Sequence, residues 1–159
     1  MNFADLGLSK EVRDAVLDAG YTTATPIQEK AIPVVLMGRD ILGCAQTGTG
    51  KTASFTLPMI DILANGRSRS RMPRTLILEP TRELAAQVAE NFDTYGKYNK
   101  LSKALIIGGA SMDKQNKLLE PLNIQDLGNL NLSSLEFPSS IGLTLEPGVY
   151  GLTAFVSNG

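Results

Sequence analysis

The chain has 159 residues, of which 43% are hydrophobic, with a mean hydropathy of +0.00 and a formal net charge of −1. This composition predicts a soluble globular protein with one core, and no apolar run approaches the roughly 18 residues that a membrane span requires. The single cysteine, Cys44, excludes an internal disulfide framework, and the absence of histidine argues against a structural zinc site. The first residues lack the basic and apolar regions of an export signal, so we expect a cytoplasmic protein.

The charged residues are distributed unevenly along the chain. All 15 Lys and Arg lie within residues 1–119, which have a net charge of +3, whereas residues 120–159 contain only acidic charges and have a net charge of −4. A break of this kind indicates two parts that follow different patterns. We therefore predict one domain over residues 1–119 and a separate tail over residues 120–159.

The first forty residues predict two helices. Ser9 is suited to cap the first helix, which Gly20 ends. Thr25-Pro26 opens the second helix, because proline is favoured at the first helical position. A turn then leads to the apolar residues 40–44, which predict a buried strand.

The segment after this run reads Ala-Gln-Thr-Gly-Thr-Gly-Lys-Thr and has the spacing of a P-loop. Glycines allow backbone N–H groups to turn towards phosphate oxygens, the lysine supplies a positive charge for the β- and γ-phosphates, and the last hydroxyl can bind Mg²⁺. The alternative is a glycine-rich turn with a solvated lysine, which the flanking strand and helix patterns disfavour. The candidate residues here are Ala45, Gln46, Thr47, Gly48, Thr49, Gly50, Lys51 and Thr52, with Thr52 also the candidate metal ligand.

Alternating strands and helices are predicted to follow the P-loop helix. Residues 75–79 predict a short buried strand that Pro80 stops, and a helix with apolar residues at helical spacing comes next. Residues 103–107 predict a second strand, which ends at a glycine pair, and residues 112–119 predict a polar helix. This alternation is typical of a parallel α/β sheet.

The tail has a different pattern from residue 121 onward. Short apolar alternations at residues 130–132 and 143–145 are separated by Asn, Ser, Pro and Gly, which predicts strands joined by turns. The predicted fold is therefore α/β, a partial P-loop domain with a parallel sheet and a β-rich C-terminal extension.

Four segments of residues 1–119 together resemble the amino-terminal part of the first RecA-like domain of DEAD-box RNA helicases, most closely the bacterial members. Phe3, Gly20-Tyr21 and residues 25–28 are together similar to the Q motif of that family, and residues 45–52 are similar to motif I, where alanine in the first position is usual. Residues 80–85 with Gln87 are similar to motif Ia, and Gly108-Gly109 matches the glycine pair after the next strand.

The resemblance implies ATP and Mg²⁺ as cofactors and RNA, single-stranded or structured, as a partner. An amide such as Gln28 can donate and accept at once, which suits the N6 donor and N7 acceptor of adenine, and Tyr21 offers a ring face to the base. Thr25 belongs to the same implied nucleotide site. The implied RNA-binding residues are Pro80, Thr81, Arg82, Gly108 and Gly109.

Several segments of the family are not found in these 159 residues: Thr-Pro-Gly-Arg, Asp-Glu-Ala-Asp, Ser-Ala-Thr and the second RecA-like domain. The resemblance then implies an ATP- and RNA-binding fragment that does not catalyse ATP hydrolysis alone, so whether the chain is an enzyme stays open. A sheet that lacks a neighbouring strand leaves Ile106 and Ile107 uncovered, which would promote self-association.

Two other readings remain open. One is a non-catalytic RNA-binding module with a relic P-loop. The other is a chimeric chain whose tail belongs to a β surface-recognition protein, because residues 143–150 are similar to a segment of β-helical ice-binding proteins. A gene fusion, a chimeric sequence assembly or a shifted reading frame would each explain such a junction.

Overall fold

The computed structural model of the chain describes residues 1–66, 74–108, 112–119 and 151–157. Within these ranges a 3₁₀ helix (Phe3–Leu6) precedes α1 (Lys10–Asp18), α2 (Pro26–Leu36), α3 (Lys51–Asn65), α4 (Arg82–Tyr95) and α5 (Met112–Leu119). The strands are β1 (Thr75–Glu79), β2 (Leu101–Ile107) and β3 (Gly151–Ser157). None of the helices in this described part combines the length and hydropathy needed to cross a bilayer.

Helix α3, which follows the P-loop, is the centre of the hydrophobic core. Leu57 and Ile60 have no solvent exposure, and α2 and α4 pack against this helix. Apolar residues of α1, such as Val12 and Val16, complete the same core cluster. Burying an aliphatic side chain of this size stabilises the folded state by about 1.5–3 kcal/mol. This packing therefore fixes the position of α3, the helix that follows the P-loop.

The three strands form one sheet in the order β1-β3-β2. Strand β3 is antiparallel to both neighbours, with Thr75 opposite Phe155 and Leu101 opposite Ser157. Consequently β1 and β2 are parallel to each other, as expected, but the prediction of an all-parallel sheet is wrong. Antiparallel pairing needs no crossover helix, so a strand from the distant tail can enter the sheet in this direction.

The apolar residues before the P-loop do not form the predicted strand. Residues 40–44 have no regular secondary structure, and among the described residues they take no part in the three-stranded sheet. Ile41 is exposed and Leu42 is 88% exposed. A strand is stable only where a neighbouring strand satisfies its backbone, and no sequence pattern can guarantee that neighbour.

The predicted β-rich extension is not supported, because the described part of the tail consists of the single strand β3. Residues 130–132 and 143–150, on which that prediction depended, lie outside the described residues. Strand β3 pairs with β2 over Leu101–Ile107, so it covers the edge that includes Ile106 and Ile107. Self-association through an uncovered sheet stays a prediction.

A buried carboxylate joins α1 to the centre of the fold. Ser9 occupies the N-cap position of α1, as predicted, but its side chain makes no capping hydrogen bond. Its backbone N–H instead donates to Oδ1 of Asp61 on α3, at 3.0 Å. Asp61 is only 7% exposed, so this bond lies where water competes weakly with it.

We expect Asp61→Ala to lower the free energy of unfolding by about 1–3 kcal/mol, because the Ser9 N–H loses its partner in a buried position. Urea denaturation followed by circular dichroism measures this change. Glu90→Ala, at an exposed site on α4, is the matched control and should change stability by less than about 0.5 kcal/mol. Equal effects of the two substitutions would contradict a structural role for Asp61.

Glu79, the last residue of β1, makes stability depend on pH. Burial raises the pKa of its carboxyl above the ordinary value, so the folded state keeps the proton to higher pH than the unfolded state. Stability therefore falls as the pH rises from the pKa of this carboxyl in the unfolded state towards its higher pKa in the folded state. We expect Glu79→Gln to be more stable than the wild type at pH 7, with the difference closing near pH 4, where the carboxyl is largely protonated in both states.

Urea denaturation at the two pH values measures the difference, with Glu90→Gln as the exposed control. A stabilisation by Glu79→Gln that is equal at both pH values would contradict this explanation.

Candidate functional site

A cavity of about 470 Å³ lies between the P-loop, the start of α2 and one face of α4. The predicted nucleotide-binding residues that line it are Tyr21, Thr25, Gln28, Thr47, Gly48, Gly50, Lys51 and Thr52. Residues from two separate sequence segments therefore meet at one site. Further lining residues include Phe3, Thr23, Leu84, Gln87, Asn91 and Tyr95.

The other predicted P-loop residues do not line the cavity but shape the loop. The Thr49 hydroxyl donates to the Gln46 carbonyl at 2.7 Å, which closes the turn. Lys51 Nζ donates to the Ala45 carbonyl across the loop. An ammonium group has three donors, so this bond leaves Lys51 with capacity for phosphate oxygens.

Glycine is required at two positions of this loop. Gly48 and Gly50 both have φ = 80°, in the left-handed region that other residues rarely adopt. A Cβ added at Gly48 would meet no atom within 4 Å, whereas one added at Gly50 would lie 2.4 Å from Gln28 Nε2. The close approach of α2 to the loop therefore depends on Gly50 in particular.

Gln28 connects the start of α2 to the P-loop and is only 6% exposed. Its Nε2 donates to the Gly50 carbonyl at 3.2 Å, and its Oε1 accepts a bond from the Thr25 backbone N–H at 2.9 Å. The amide has two N–H donors and two acceptor lone pairs. With respect to the described residues, one donor and one acceptor of this amide thus remain for a further partner in the cavity that Gln28 lines.

One face of α4 forms the wall opposite α2, and the sequence reasoning did not assign this face to the nucleotide site. Its residues Leu84, Gln87, Asn91 and Tyr95 recur at helical spacing, which is the signal that could have identified them. Tyr95 is buried, and burial raises the pKa of its hydroxyl, with a smaller effect from Tyr21. Tyr95 is therefore a neutral phenol at physiological pH.

The predicted RNA-binding residues form a second cluster, at the start of α4. Pro80, Thr81 and Arg82 are exposed, and the Thr81 hydroxyl accepts a bond from the Leu84 N–H at 3.2 Å as the N-cap of α4. Arg82 Nη1 donates to the Gly108 carbonyl at 3.4 Å, which joins this segment to the end of β2. Gly109 lies outside the described residues.

The described residues contain no group of three or more His, Cys, Asp or Glu that could hold a metal ion. Thr52 lines the cavity one residue after Lys51. A hydroxyl in this position fits Mg²⁺ held jointly by phosphate oxygens and water, because Mg²⁺ keeps several waters and uses few protein ligands.

The two loop glycines provide a matched pair of substitutions. Alanine at either position would lower the free energy of unfolding by about 1–2 kcal/mol, because a residue with a Cβ disfavours the left-handed conformation. We expect Gly50→Ala to cost about 1 kcal/mol more than Gly48→Ala, because its Cβ displaces Gln28 from the Gly50 carbonyl. Urea denaturation of both variants measures the difference.

In a Gln28→Ala background the displaced amide is absent, so the additional cost of Gly50→Ala should disappear. An additional cost that persists in this background would show that the contact with Gln28 is not its cause.

Comparison with known proteins identifies the family of the chain. A sequence profile of the family described as DEAD/DEAH box helicase matches residues 25–127. The DEAD-box ATP-dependent RNA helicase RhpA of Helicobacter pylori is 46% identical over 114 residues, which are 72% of this chain and 22% of RhpA. The chain thus spans about one fifth of the length of this relative.

Solved structures give the same result for the fold. A DEAD box protein from Methanococcus jannaschii is 38% identical, with a TM-score of 0.66 over 75% of this chain and 32% of that one. Dbp5 of S. cerevisiae, bound to RNA and ADP BeF3, is 35% identical, with a TM-score of 0.56 over 62% of this chain and 25% of that one. The chain belongs to the DEAD/DEAH box helicase family.

Proposed function

We propose that this chain binds ATP in the cavity and RNA at the start of α4, as the amino-terminal part of an ATP-dependent RNA helicase. The single observation that supports the nucleotide site best is the Gln28 amide. It is buried, it is bonded to the Gly50 carbonyl, and one of its donors and one of its acceptors have no partner among the described residues. A purine base that offers a donor beside an acceptor would complete that amide.

The base is proposed to lie against Tyr21, whose ring is 55% exposed beside Gln28. Adenine presents N6 as a donor and N7 as an acceptor, which match the free acceptor and donor of Gln28. Guanine has an acceptor, O6, in place of N6, so the free acceptor of Gln28 would have no donor to pair with. Adenine selectivity is therefore a consequence of one amide held in a fixed orientation.

The triphosphate is proposed to lie along the P-loop, where the loop geometry suits an anion. The left-handed Gly48 and Gly50 allow backbone N–H groups to turn inward. Helix α3 begins at Lys51, so its positive N-terminal end faces the same space. Lys51 would neutralise phosphate charge, and Thr52 would supply one hydroxyl ligand to Mg²⁺, which offsets the charge of the β- and γ-phosphates when bound.

RNA is proposed to bind at the cluster formed by Thr81, Arg82 and Gly108. An exposed arginine beside the N-terminus of α4 suits a phosphate oxygen. Pro80 and Gly109 are proposed to border the same surface. The structural relative Dbp5 was solved with RNA and ADP BeF3, which supports looking for both ligands on this chain.

We also propose that residues 1–119 form the helicase part and that residues 120–159 are distinct in origin. The change from a net charge of +3 to −4 supports this boundary. We further propose that the protein is located in the cytoplasm. Hydrolysis of ATP is proposed only for longer members of the family.

The nucleotide proposal predicts binding of ATP in preference to GTP by the full chain. We expect Lys51→Ala to weaken ATP binding by about 10–100-fold, since it removes a charge-assisted contact worth about 1.5–3 kcal/mol. We expect Gln28→Ala to weaken ATP binding by about tenfold more than GTP binding, because both nucleotides lose the support of the loop but only adenine loses its base contact. Isothermal titration calorimetry with both nucleotides measures these changes.

Lys30→Ala, at an exposed site on α2, is the control and should bind ATP as the wild type does. Equal affinities of the wild type for ATP and GTP would contradict the role of Gln28. RNA binding without any ATP binding would instead favour a module with a relic P-loop.

A further inference from the structure

Helix α4 runs beside α3 along the candidate nucleotide cavity. The first turns of the two helices lie close together, since Leu84 and Thr52 line the same cavity. The later turns also lie close together, because a Cβ added at Gly96, just after α4, would lie 3.8 Å from Ile60 Cδ1 on α3. The two helices therefore run side by side in the same direction.

Matching positions on the two helices follow from this arrangement. Ile60 lies nine residues after Lys51, and Gly96 lies nine residues after Gln87. Because each residue adds about 1.5 Å to the length of a helix, Gln87 is at about the same level as Lys51. Asn91, the next cavity residue on α4, is then about 6 Å further along the helix axis, away from the P-loop.

The far end of α4 is held beside the residue that is proposed to contact the base. Lys97 Nζ, just after α4, donates to Asp18 Oδ2 at 2.6 Å, and Asp18 is the last residue of α1. The Tyr21 N–H donates to the Val16 carbonyl of the same helix at 3.1 Å. Tyr21 therefore lies near the end of α4, where Tyr95 lines the same cavity.

Asn91 is thus the cavity residue of α4 that lies between these two ends. In a nucleoside triphosphate the sugar joins the base to the phosphates. With the phosphates at the P-loop and the base against Tyr21, the sugar has to lie between them. The side chain of α4 at this level of the cavity is Asn91.

The Asn91 amide has groups that suit a sugar. Its Nδ2 donates to the Gln87 carbonyl at 2.8 Å, which identifies the nitrogen of the amide. Among the described residues, its other N–H and its Oδ1 have no partner. Ribose carries two adjacent hydroxyls, each of which can donate and accept. One amide can therefore donate to one hydroxyl and accept from the other.

We propose that Asn91 is a specificity-determining residue of the nucleotide site, which binds the 2′- and 3′-hydroxyls of the ribose. This inference rests on the proposed ATP-binding function and extends it from the base and the phosphates to the sugar. ATP then binds more tightly than an analogue that lacks either hydroxyl. The alternative is that Asn91 is a solvated helix residue, in which case its removal does not change the preference among sugars.

The test is isothermal titration calorimetry of the full chain with ATP, 2′-deoxy-ATP and 3′-deoxy-ATP, each with Mg²⁺. We expect the wild type to bind ATP about 5–10-fold more tightly than either analogue, because each analogue loses one hydrogen bond. Asn91→Ala should bind all three nucleotides with affinities within about twofold of one another. Alanine is the best helix former, so this variant should stay folded, which circular dichroism checks.

Two further variants separate recognition of the sugar from other effects. Asn65→Ala is the matched control, because the Asn65 Nδ2 makes the same kind of bond, to the Asp61 carbonyl four residues earlier on α3, at 3.0 Å. Asn65 is not among the residues that line the cavity, so this variant should keep the full preference for ATP. Gln28→Ala should weaken binding of the three nucleotides by the same factor, because all of them carry adenine, and should also keep the preference.

The outcomes distinguish this inference from the function on which it rests. If the wild type binds ATP and both analogues equally, or if Asn91→Ala keeps the preference, this inference fails and the ATP-binding function stands. Loss of the preference in Asn65→Ala would also overturn the inference, since an amide outside the cavity would then have the same effect. If the wild type binds none of the three nucleotides, the proposed ATP-binding function fails and this inference fails with it.

Discussion

The hydrogen bond from Gln28 Nε2 to the Gly50 carbonyl is the contact on which the candidate nucleotide site depends. It joins residues 22 positions apart, so it exists only if α2 packs against α3. That packing comes from aliphatic side chains such as Ile32, Leu57 and Ile60, which are fully buried. Burial of these side chains therefore stabilises the packing of α2 against α3. The hydrogen bond of the Gln28 amide then fixes the position of α2 relative to the loop.

Helix α4 serves both candidate sites. Its first residue, Arg82, reaches Gly108 at the proposed RNA surface, while Leu84, Gln87 and Asn91 line the cavity further along. Its inner face packs against α3 through the core, which includes Val88 and Phe92. One helix therefore contributes residues to both candidate sites.

The sheet illustrates how a strand from a distant part of the chain changes a local expectation. β1 and β2 keep the parallel relation that strand and helix alternation indicates, but β3 lies between them and runs in the opposite direction. β3 supplies backbone partners to the facing edges of both strands. An open strand edge is unfavourable because its N–H and C=O groups need partners, so any strand that can reach such an edge tends to occupy it.

Features that depend on a few neighbouring residues were determined by the sequence alone. The spacing of Gly48, Gly50 and Lys51 indicated the loop, and Thr25-Pro26 indicated the start of α2, because backbone freedom and ring closure are local effects. The tertiary structure decided which of these segments meet. It brought Gln28 to Gly50, added a face of α4 to the cavity and left residues 40–44 outside the sheet. Each of these outcomes requires a partner distant in sequence, and a pattern of residue types shows that a segment can bury a face but does not show which segment will cover it.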